Sequence, residues 1–123
     1  MRHRAIVPLF VLALGMGACS PFVEVLRLDD FQRNQVRAAV KQYADLPASY
    51  TVVKDLDATS CQLGLTDPKA TNQDAIDQLL LKASRLGANG LGNVFCDTPG
   101  TFDLGKNCWS SIKCRGTAIT VSP

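Results

Sequence analysis

The stretch TNQDAIDQLLLKASRLG (Thr71–Gly87) predicts the strongest helix of the chain, and the remaining elements are arranged around it. Thr71 or Asn72 suits the N-cap, and Gly87 suits the left-handed residue that ends a helix. Acidic side chains come early and basic ones late, which complements the helix dipole. The acids are Asp74 and Asp77, and the bases are Lys82 and Arg85. An apolar stripe for the core consists of Ile76, Leu79, Leu80, Ala83 and Leu86.

Extended segments lie on both sides of this helix. YTVVKDL (Tyr50–Leu56) and LGNVFC (Leu91–Cys96) are rich in β-branched and aromatic residues, which favour strands. FVEVLRL (Phe22–Leu28) predicts an earlier strand. CWSSIKCRGTAITV (Cys108–Val121) predicts a last extended segment, with Gly116 as the point where it could break.

A second helix is predicted ahead of Tyr50. Asp29 or Asp30 can cap it, and apolar residues then recur at helical spacing: Val36, Ala39, Val40 and Tyr43. Leu46-Pro47 is expected to close it, because the residue before a proline is pushed out of the helical region. The segments between the elements predict loops, namely 57–73 around Cys61 and 97–107.

The predicted order is strand, helix, strand, helix, strand, strand. At 123 residues the chain is expected to form one small domain. This order predicts an α+β fold with a small, mainly antiparallel sheet and the helices packed on one face.

The N-terminus has the pattern of a secretory signal. Arg2 and Arg4 precede an apolar run over Ala5–Leu14, and small residues follow it. As a helix this run would rise about 15 Å, short of the ~30 Å hydrocarbon core of a membrane. Met16-Gly17-Ala18-Cys19 resembles the bacterial lipobox, in which the cysteine is diacylated and becomes the new N-terminus.

These features predict three parts of the chain. Residues 1–18 are expected to be a lipoprotein signal peptide, and 19–21 a lipidated cysteine with a short tether. Residues 22–123 are expected to form a periplasmic α+β domain. Ser20 follows the cysteine where Asp would signal retention in the inner membrane, so we expect an anchor in the outer membrane, on its periplasmic face.

Five cysteines are present, namely Cys19, Cys61, Cys96, Cys108 and Cys114. Setting Cys19 aside leaves an even number in a small exported domain, which predicts two disulfides. The spacings of 34, 11 and 5 residues contain no C-x₂-C knuckle, so zinc is not expected. Three pairings are open. An antiparallel pairing of the last strands favours Cys96–Cys114 and leaves Cys108 for Cys61, but a slip of two residues would change it.

Composition argues against several classes of function. Without residues 1–18 the chain has equal numbers of acidic and basic side chains, so nothing indicates nucleic acid as a partner. The chain's single histidine, His3, would be lost, which removes any Ser/Cys–His catalytic arrangement. We expect no enzymatic activity, no small-molecule substrate and no cofactor beyond the covalent lipid.

Two weaker catalytic patterns remain. Asp55 and Asp57 lie two apart on a strand, which is the spacing of a same-face carboxylate pair, but a solvated strand end explains them better. Ser110, Ser111 and Lys113 suggest a Ser/Lys dyad by sequential proximity alone.

Several residues of the chain resemble the RcsF family of outer-membrane lipoproteins, which sense envelope stress for a phosphorelay. They are TSCQ around Cys61, the helix end KASRLGANGL, the later Cys96 and Cys108, and KCRGTA. The likeness covers about residues 50–121 plus the lipobox. It implies interlaced disulfides, Cys61–Cys108 and Cys96–Cys114, in a domain that is not an enzyme.

The resemblance also implies partners. It implies contact with an inner-membrane regulator, with control through outer-membrane barrel and barrel-assembly proteins. The tether here, Ser20-Pro21, is much shorter than the Pro-rich linker of the enterobacterial type. An alternative is a structural or assembly-accessory lipoprotein of the same fold, and another is periplasmic thiol exchange.

A partner-binding surface is predicted near the C-terminus. A lone tryptophan stands among cations there: Trp109, with Lys106, Lys113 and Arg115, and with Phe102 nearby. Tryptophan and arginine dominate binding energy at protein interfaces. The sequence therefore predicts a protein-binding edge formed by the last loop and the last strand.

Overall fold

The computed structural model describes residues 27–97, the backbone of 100–103, and residues 108–123. The predicted signal peptide, the lipidation predicted at Cys19, the predicted tether and most of the strand predicted over Phe22–Leu28 lie outside these residues. Arg27 and Leu28, the described end of that predicted strand, belong to no strand. No helix among the described residues has the length and hydropathy needed to cross a membrane.

The described residues form two helices and five strands. The helices are α1 (Asp30–Ala39) and α2 (Asn72–Arg85). The strands are β1 (Lys41–Gln42), β2 (Thr51–Gln62), β3 (Gly90–Cys96), β4 (Gly100–Asp103) and β5 (Cys108–Thr120). Their order across the sheet is β1-β3-β5-β2, and β4 also pairs with β5. All these pairings are antiparallel except β1–β3. The predicted α+β fold with a mainly antiparallel sheet is confirmed.

Helix α2 forms the centre of the core, as its sequence predicts. The Thr71 hydroxyl accepts a hydrogen bond from the Asp74 backbone N–H at 3.0 Å, and Gly87 adopts a φ of +77° that ends the helix. The helix packs across β2, β5 and β3 on one face of the sheet, and α1 packs on α2. The buried apolar residues of this layer include Leu79, Leu80, Ala83, Leu91, Ile112 and Ala118.

An ion-pair cluster attaches α1 to α2. Asp77 is fully buried, and its carboxylate accepts hydrogen bonds from Arg33 at 2.8 Å and from Arg37 at 2.9 and 2.7 Å. Gln73 donates a further bond at 3.1 Å, and Arg33 also reaches Asp74 at 2.7 Å. Burial alone would raise the pKa of Asp77, but the bonds from Arg37, Arg33 and Gln73 outweigh it and hold the pKa below its ordinary value. Val36 is the one buried residue within α1, so these charges carry much of its attachment.

The four cysteines of the domain form two disulfides, Cys61–Cys108 and Cys96–Cys114. Cys96 and Cys114 are directly opposite each other on β3 and β5, with their Cα atoms 4.0 Å apart. Cys61 near the end of β2 joins the start of β5. The bridges therefore bind both neighbours of β5 to it, and the predicted pairing is confirmed.

The predicted helix over 29–46 is too long. It begins as expected, since the Asp29 carboxylate accepts from the Gln32 N–H at 2.7 Å, but it ends at Ala39. The next two residues pair in parallel with β3, with Lys41 opposite Gly90. Tyr43 and Leu46 then turn to the other face of the sheet, where Gly90 and Gly92 leave room for them. Sheet pairing replaces the helical continuation that their spacing predicted.

Two predicted loops contain strand. Strand β2 continues through Cys61 to Gln62, because Ala58 and Ser60 are small enough to lie buried beneath α2. The predicted loop over 97–107 includes β4, which continues the β3 side of a hairpin with β5. The last strand runs unbroken through Gly116, the point at which the sequence left a break open.

Candidate partner-binding surface

The face of the sheet opposite the helices carries most of the residues predicted to bind a partner. On β5, Ile112, Cys114 and Ala118 are buried on the helix side. Strand side chains alternate between faces, so odd-numbered β5 residues point away from the helices. We call this surface the open face, and define it by Asp55, Asp57, Phe95, Trp109, Lys113, Arg115 and Thr117. Trp109, Lys113 and Arg115 are thus brought onto one face.

The charged side chains of the open face differ in the hydrogen bonds and ion pairs that they make. The Lys113 ammonium lies 3.2 Å from the carboxylate of Asp57, which is 63% exposed. The hydrogen bond from Lys113 holds the pKa of Asp57 below its ordinary value, although partial burial opposes it. Thr117 donates to the Asp55 carboxylate at 2.8 Å. The charge of Lys113 is thereby partly neutralised by Asp57, and the hydrogen bond from Thr117 orients the Asp55 carboxylate.

Among the described residues of the open face, Arg115 is the cation without a salt bridge, although its charge acts on the Asp57 carboxylate. It is exposed, and its guanidinium makes no hydrogen bond or ion pair with another described residue. It stands between Asp57 on β2 and Phe95 on β3 in the register of the sheet. Phe95 is 66% exposed, a large apolar surface beside an unpaired guanidinium. Arginine and aromatic side chains together are the residues that contribute most at protein interfaces.

The bulge in β3 shapes this surface. The register shifts between Gly92 and Phe95, where Asn93 has a φ of +52°. A shallow depression opens beside it, lined in part by Asn93, Lys113 and Arg115. Bulges re-aim side chains next to functional sites. Here the bulge places Phe95 opposite Arg115.

Trp109 extends the open face toward the start of β5. Its side chain is 45% exposed. The open face thus presents two exposed aromatic side chains, Phe95 beside Arg115 at one end and Trp109 at the other. Phe95 is the residue that sequence reasoning missed, although the pattern could have given it. A strand residue adjacent to a cysteine bridged on the helix side must point to the other side.

The structure brings together only part of the two catalytic patterns considered from the sequence. Asp55 and Asp57 share the open face, but Thr117 and Lys113 occupy them. Ser110 lies on the helix side, where it accepts from the Ala70 N–H and donates to the buried Gln62. Lys113 points the opposite way, so Ser110 does not form the suggested dyad with it, whereas Ser111, at an odd-numbered position of β5, shares the face of Lys113.

The remaining site predictions concern Lys106, Phe102 and metals. The side chains of Lys106 and Phe102 lie outside the described residues. Within residues 27–97 and 108–123 no group of histidine, cysteine or carboxylate side chains could hold a metal ion.

Comparison with known proteins identifies no family for this chain. No family model matches the chain, and no curated protein matches it. Among solved structures, a likeness is found to a protein of unknown function from Pediococcus pentosaceus ATCC 25745 that belongs to the DUF74 family, determined at 2.73 Å. The two are 18% identical with a TM-score of 0.47, and the match covers 66% of this chain and 95% of that one. A likeness this distant carries no argument about function, which therefore rests on the residues themselves.

Proposed function

We propose that this protein is a lipid-anchored, RcsF-like lipoprotein of the outer membrane that faces the periplasm. It reports envelope stress to a phosphorelay through protein–protein contact and catalyses no reaction. The lipid on Cys19 anchors it, and the open face is its contact surface.

The observation that carries the proposal is the pairing of the cysteines. The bridges Cys61–Cys108 and Cys96–Cys114 are those that the RcsF resemblance implies. Disulfides persist in oxidising compartments, which supports export. The pairing also leaves Cys19 as the odd cysteine, in the lipobox position where lipid attaches.

The open face supports a role in binding. Exposed Phe95 lies opposite Arg115, exposed Trp109 lies farther along the same face, and most of the helix-side residues are committed to the core. This combination of apolar area and one available guanidinium fits a protein partner that offers a carboxylate beside an apolar patch.

The position of the anchor limits where a partner can bind. Leu28 is buried in the domain, and eight residues separate it from Cys19. Fully extended, they reach about 30 Å. The domain therefore remains close to the membrane, and the proposed partner must approach that surface.

The test is deletion of the gene, followed by a transcriptional reporter of the phosphorelay during outer-membrane damage. Loss of the response, restored by the full-length protein, is expected. An unchanged response in the deletion strain would remove the sensor function. In the complemented strain, a fatty-acid probe should label the protein but not its Cys19→Ser variant, and persistent labelling of that variant would remove the anchor.

A further inference from the structure

The turn that follows β2 presents two leucine side chains to solvent. Leu63 is 43% exposed and Leu65 is 73% exposed. Only Gly64 separates them in the chain. Single exposed leucines are common on protein surfaces, but two leucines held together form an apolar surface that a ligand or a lipid phase can cover.

Buried polar groups hold this turn in place. Gln62 is 7% exposed, and its side-chain amide donates to the carbonyl oxygens of Leu65 at 3.4 Å and Asp67 at 3.0 Å. The Ser110 hydroxyl on β5 donates to the side-chain oxygen of Gln62 at 3.1 Å. The Asp67 N–H also donates to the Gly64 carbonyl oxygen at 3.1 Å. The turn is therefore fixed to the sheet with both leucines outside the core.

The chain that leads from the predicted lipid anchor enters the domain beside this turn. The Arg27 guanidinium lies 3.5 Å from the Asp67 carboxylate. Arg27 and Leu28 also line a surface depression together with Asp67 and Pro68. Seven residues separate Arg27 from Cys19, and a chain of that length reaches less than about 30 Å when fully extended. The turn therefore lies close to any membrane that holds Cys19.

A second group of exposed apolar side chains lies at the opposite end of β2. Tyr50, Val52 and Val53 are exposed around the start of this strand. The strand has twelve residues and spans about 35 Å. That group is therefore farther from the anchor than Leu63 and Leu65 are, and of the two apolar surfaces the turn is the one placed to meet the bilayer.

Charge does not select a partner at this turn. The charged side chains around it nearly balance: the bases are Arg27 and Lys69, and the acids are Asp29, Asp30 and Asp67. Arg33, which also lines the depression, is already paired with Asp74 and Asp77. The apolar surface is what remains for recognition. Apolar side chains of membrane-bound proteins insert about 5–10 Å into the boundary between head groups and acyl chains.

We propose that Leu63 and Leu65 insert into the surface of the lipid bilayer that carries the anchor. The occupant is lipid of either headgroup charge, and the contact fixes which end of the domain faces the membrane. The inference rests on the proposed lipid at Cys19, but it does not require a signalling function. The anchor supplies a high local concentration, so two leucines suffice for a contact that would be weak between separate molecules.

The test uses the full-length lipidated protein in vesicles of phosphatidylcholine. The substitution Trp109→Phe removes the single tryptophan of the chain, so that a new tryptophan reports its own surroundings. Leu65→Trp places this reporter in the turn, and Leu86→Trp is the matched control. Leu86 is also exposed, at 45%, but it lies at the far end of α2, about 20 Å along the helix from the end that follows the turn.

Lipids brominated on their acyl chains quench the fluorescence of a tryptophan that contacts them. We expect the quenching of Leu65→Trp to exceed that of Leu86→Trp at least about threefold. Adding anionic phosphatidylglycerol should leave this quenching unchanged, because the contact is apolar.

Equal quenching of the two variants, in protein that floats with the vesicles, would overturn the contact while leaving the anchor intact. A blue shift of the Leu65→Trp emission without quenching would overturn it in favour of a second copy of the chain. Quenching that requires phosphatidylglycerol would overturn it in favour of headgroup binding. Protein that does not float with the vesicles would remove the anchor, and the lipid contact with it.

Discussion

Removing the charge of Asp77 should loosen the attachment of α1. In Asp77→Asn the side chain keeps its shape, but Arg33 and Arg37 lose the ionised acceptor of three hydrogen bonds. Breaking a buried ion pair at one partner costs about 3–5 kcal/mol. The arginine side chains are 24% and 45% exposed and can regain water, so we expect the lower end, about 3 kcal/mol. For a domain of this size that lowers Tm by roughly 10–20 °C.

The stability difference between wild type and Asp77→Asn should depend on pH. The folded-state pKa of Asp77 is lowered, so its contribution is complete above the unfolded value of about 3.9 and disappears as pH falls through the folded value. The free energy of unfolding should therefore differ between wild type and Asp77→Asn by a constant amount from pH 7 to 5. The difference should narrow below about pH 4. Asp57 has a lowered pKa in both proteins, so its effect cancels.

The assay is urea unfolding of the oxidised protein, followed by circular dichroism across this pH range. Asp45→Asn serves as the control, because it removes one exposed aspartate and should change the unfolding free energy little. A difference below about 1 kcal/mol at pH 7, or one that persists undiminished to acid pH, would refute the role assigned to the cluster.

Two further predictions concern the bridges and the helix end. The Cys61–Cys108 bridge closes a loop of 47 residues, and by the chain-entropy relation its removal should lower the free energy of unfolding by about 4 kcal/mol. The Cys96–Cys114 bridge closes a loop of 18 residues, and its removal should lower that free energy by about 3 kcal/mol. Guanidinium unfolding of the two double Cys→Ala variants measures which bridge contributes more to the free energy of unfolding. A larger loss for the shorter loop would contradict this prediction. Gly87→Ala should lower the free energy of unfolding by about 1–2 kcal/mol, because φ is +77° at this position. The cost comes from the backbone alone, since nothing crowds the new Cβ. In thermal melts Gly87→Asn should lose less stability than Gly87→Ala. Equal melting of wild type and Gly87→Ala would be inconsistent with a strained helix end.

Helix α2 could be predicted from the sequence because its signals are local. Thr71, the apolar stripe and Gly87 all lie within one segment, and each acts on its neighbours along the chain. The end of α1 could not, since Lys41 leaves the helix to pair with Gly90, which is far away in sequence. Likewise, Ala58 and Ser60 are typical of a loop when the sequence is considered alone. In the fold they lie in a strand beneath α2, where only small side chains fit.

Only the part of the candidate surface that depends on local spacing could be predicted from the sequence. Lys113 and Arg115 are two apart, so any strand places them on one face. Which of them is available to a partner depends on Asp57, more than fifty residues earlier, which pairs with Lys113. The link between Arg33 and Asp77, 44 residues apart, gives no local signal at all.

Contact of the open face with a partner can be tested in cells with a matched pair of variants. The phosphorelay reporter is followed during outer-membrane damage in a deletion strain that expresses either the full-length double variant Phe95→Ser, Arg115→Glu or the control Phe31→Ser, Lys69→Glu. Both variants exchange an exposed aromatic and a cation, and Phe31 is 70% exposed on α1. With equal protein levels, we expect a lost response for the open-face variant and a full response for the control. A full response from both would contradict it.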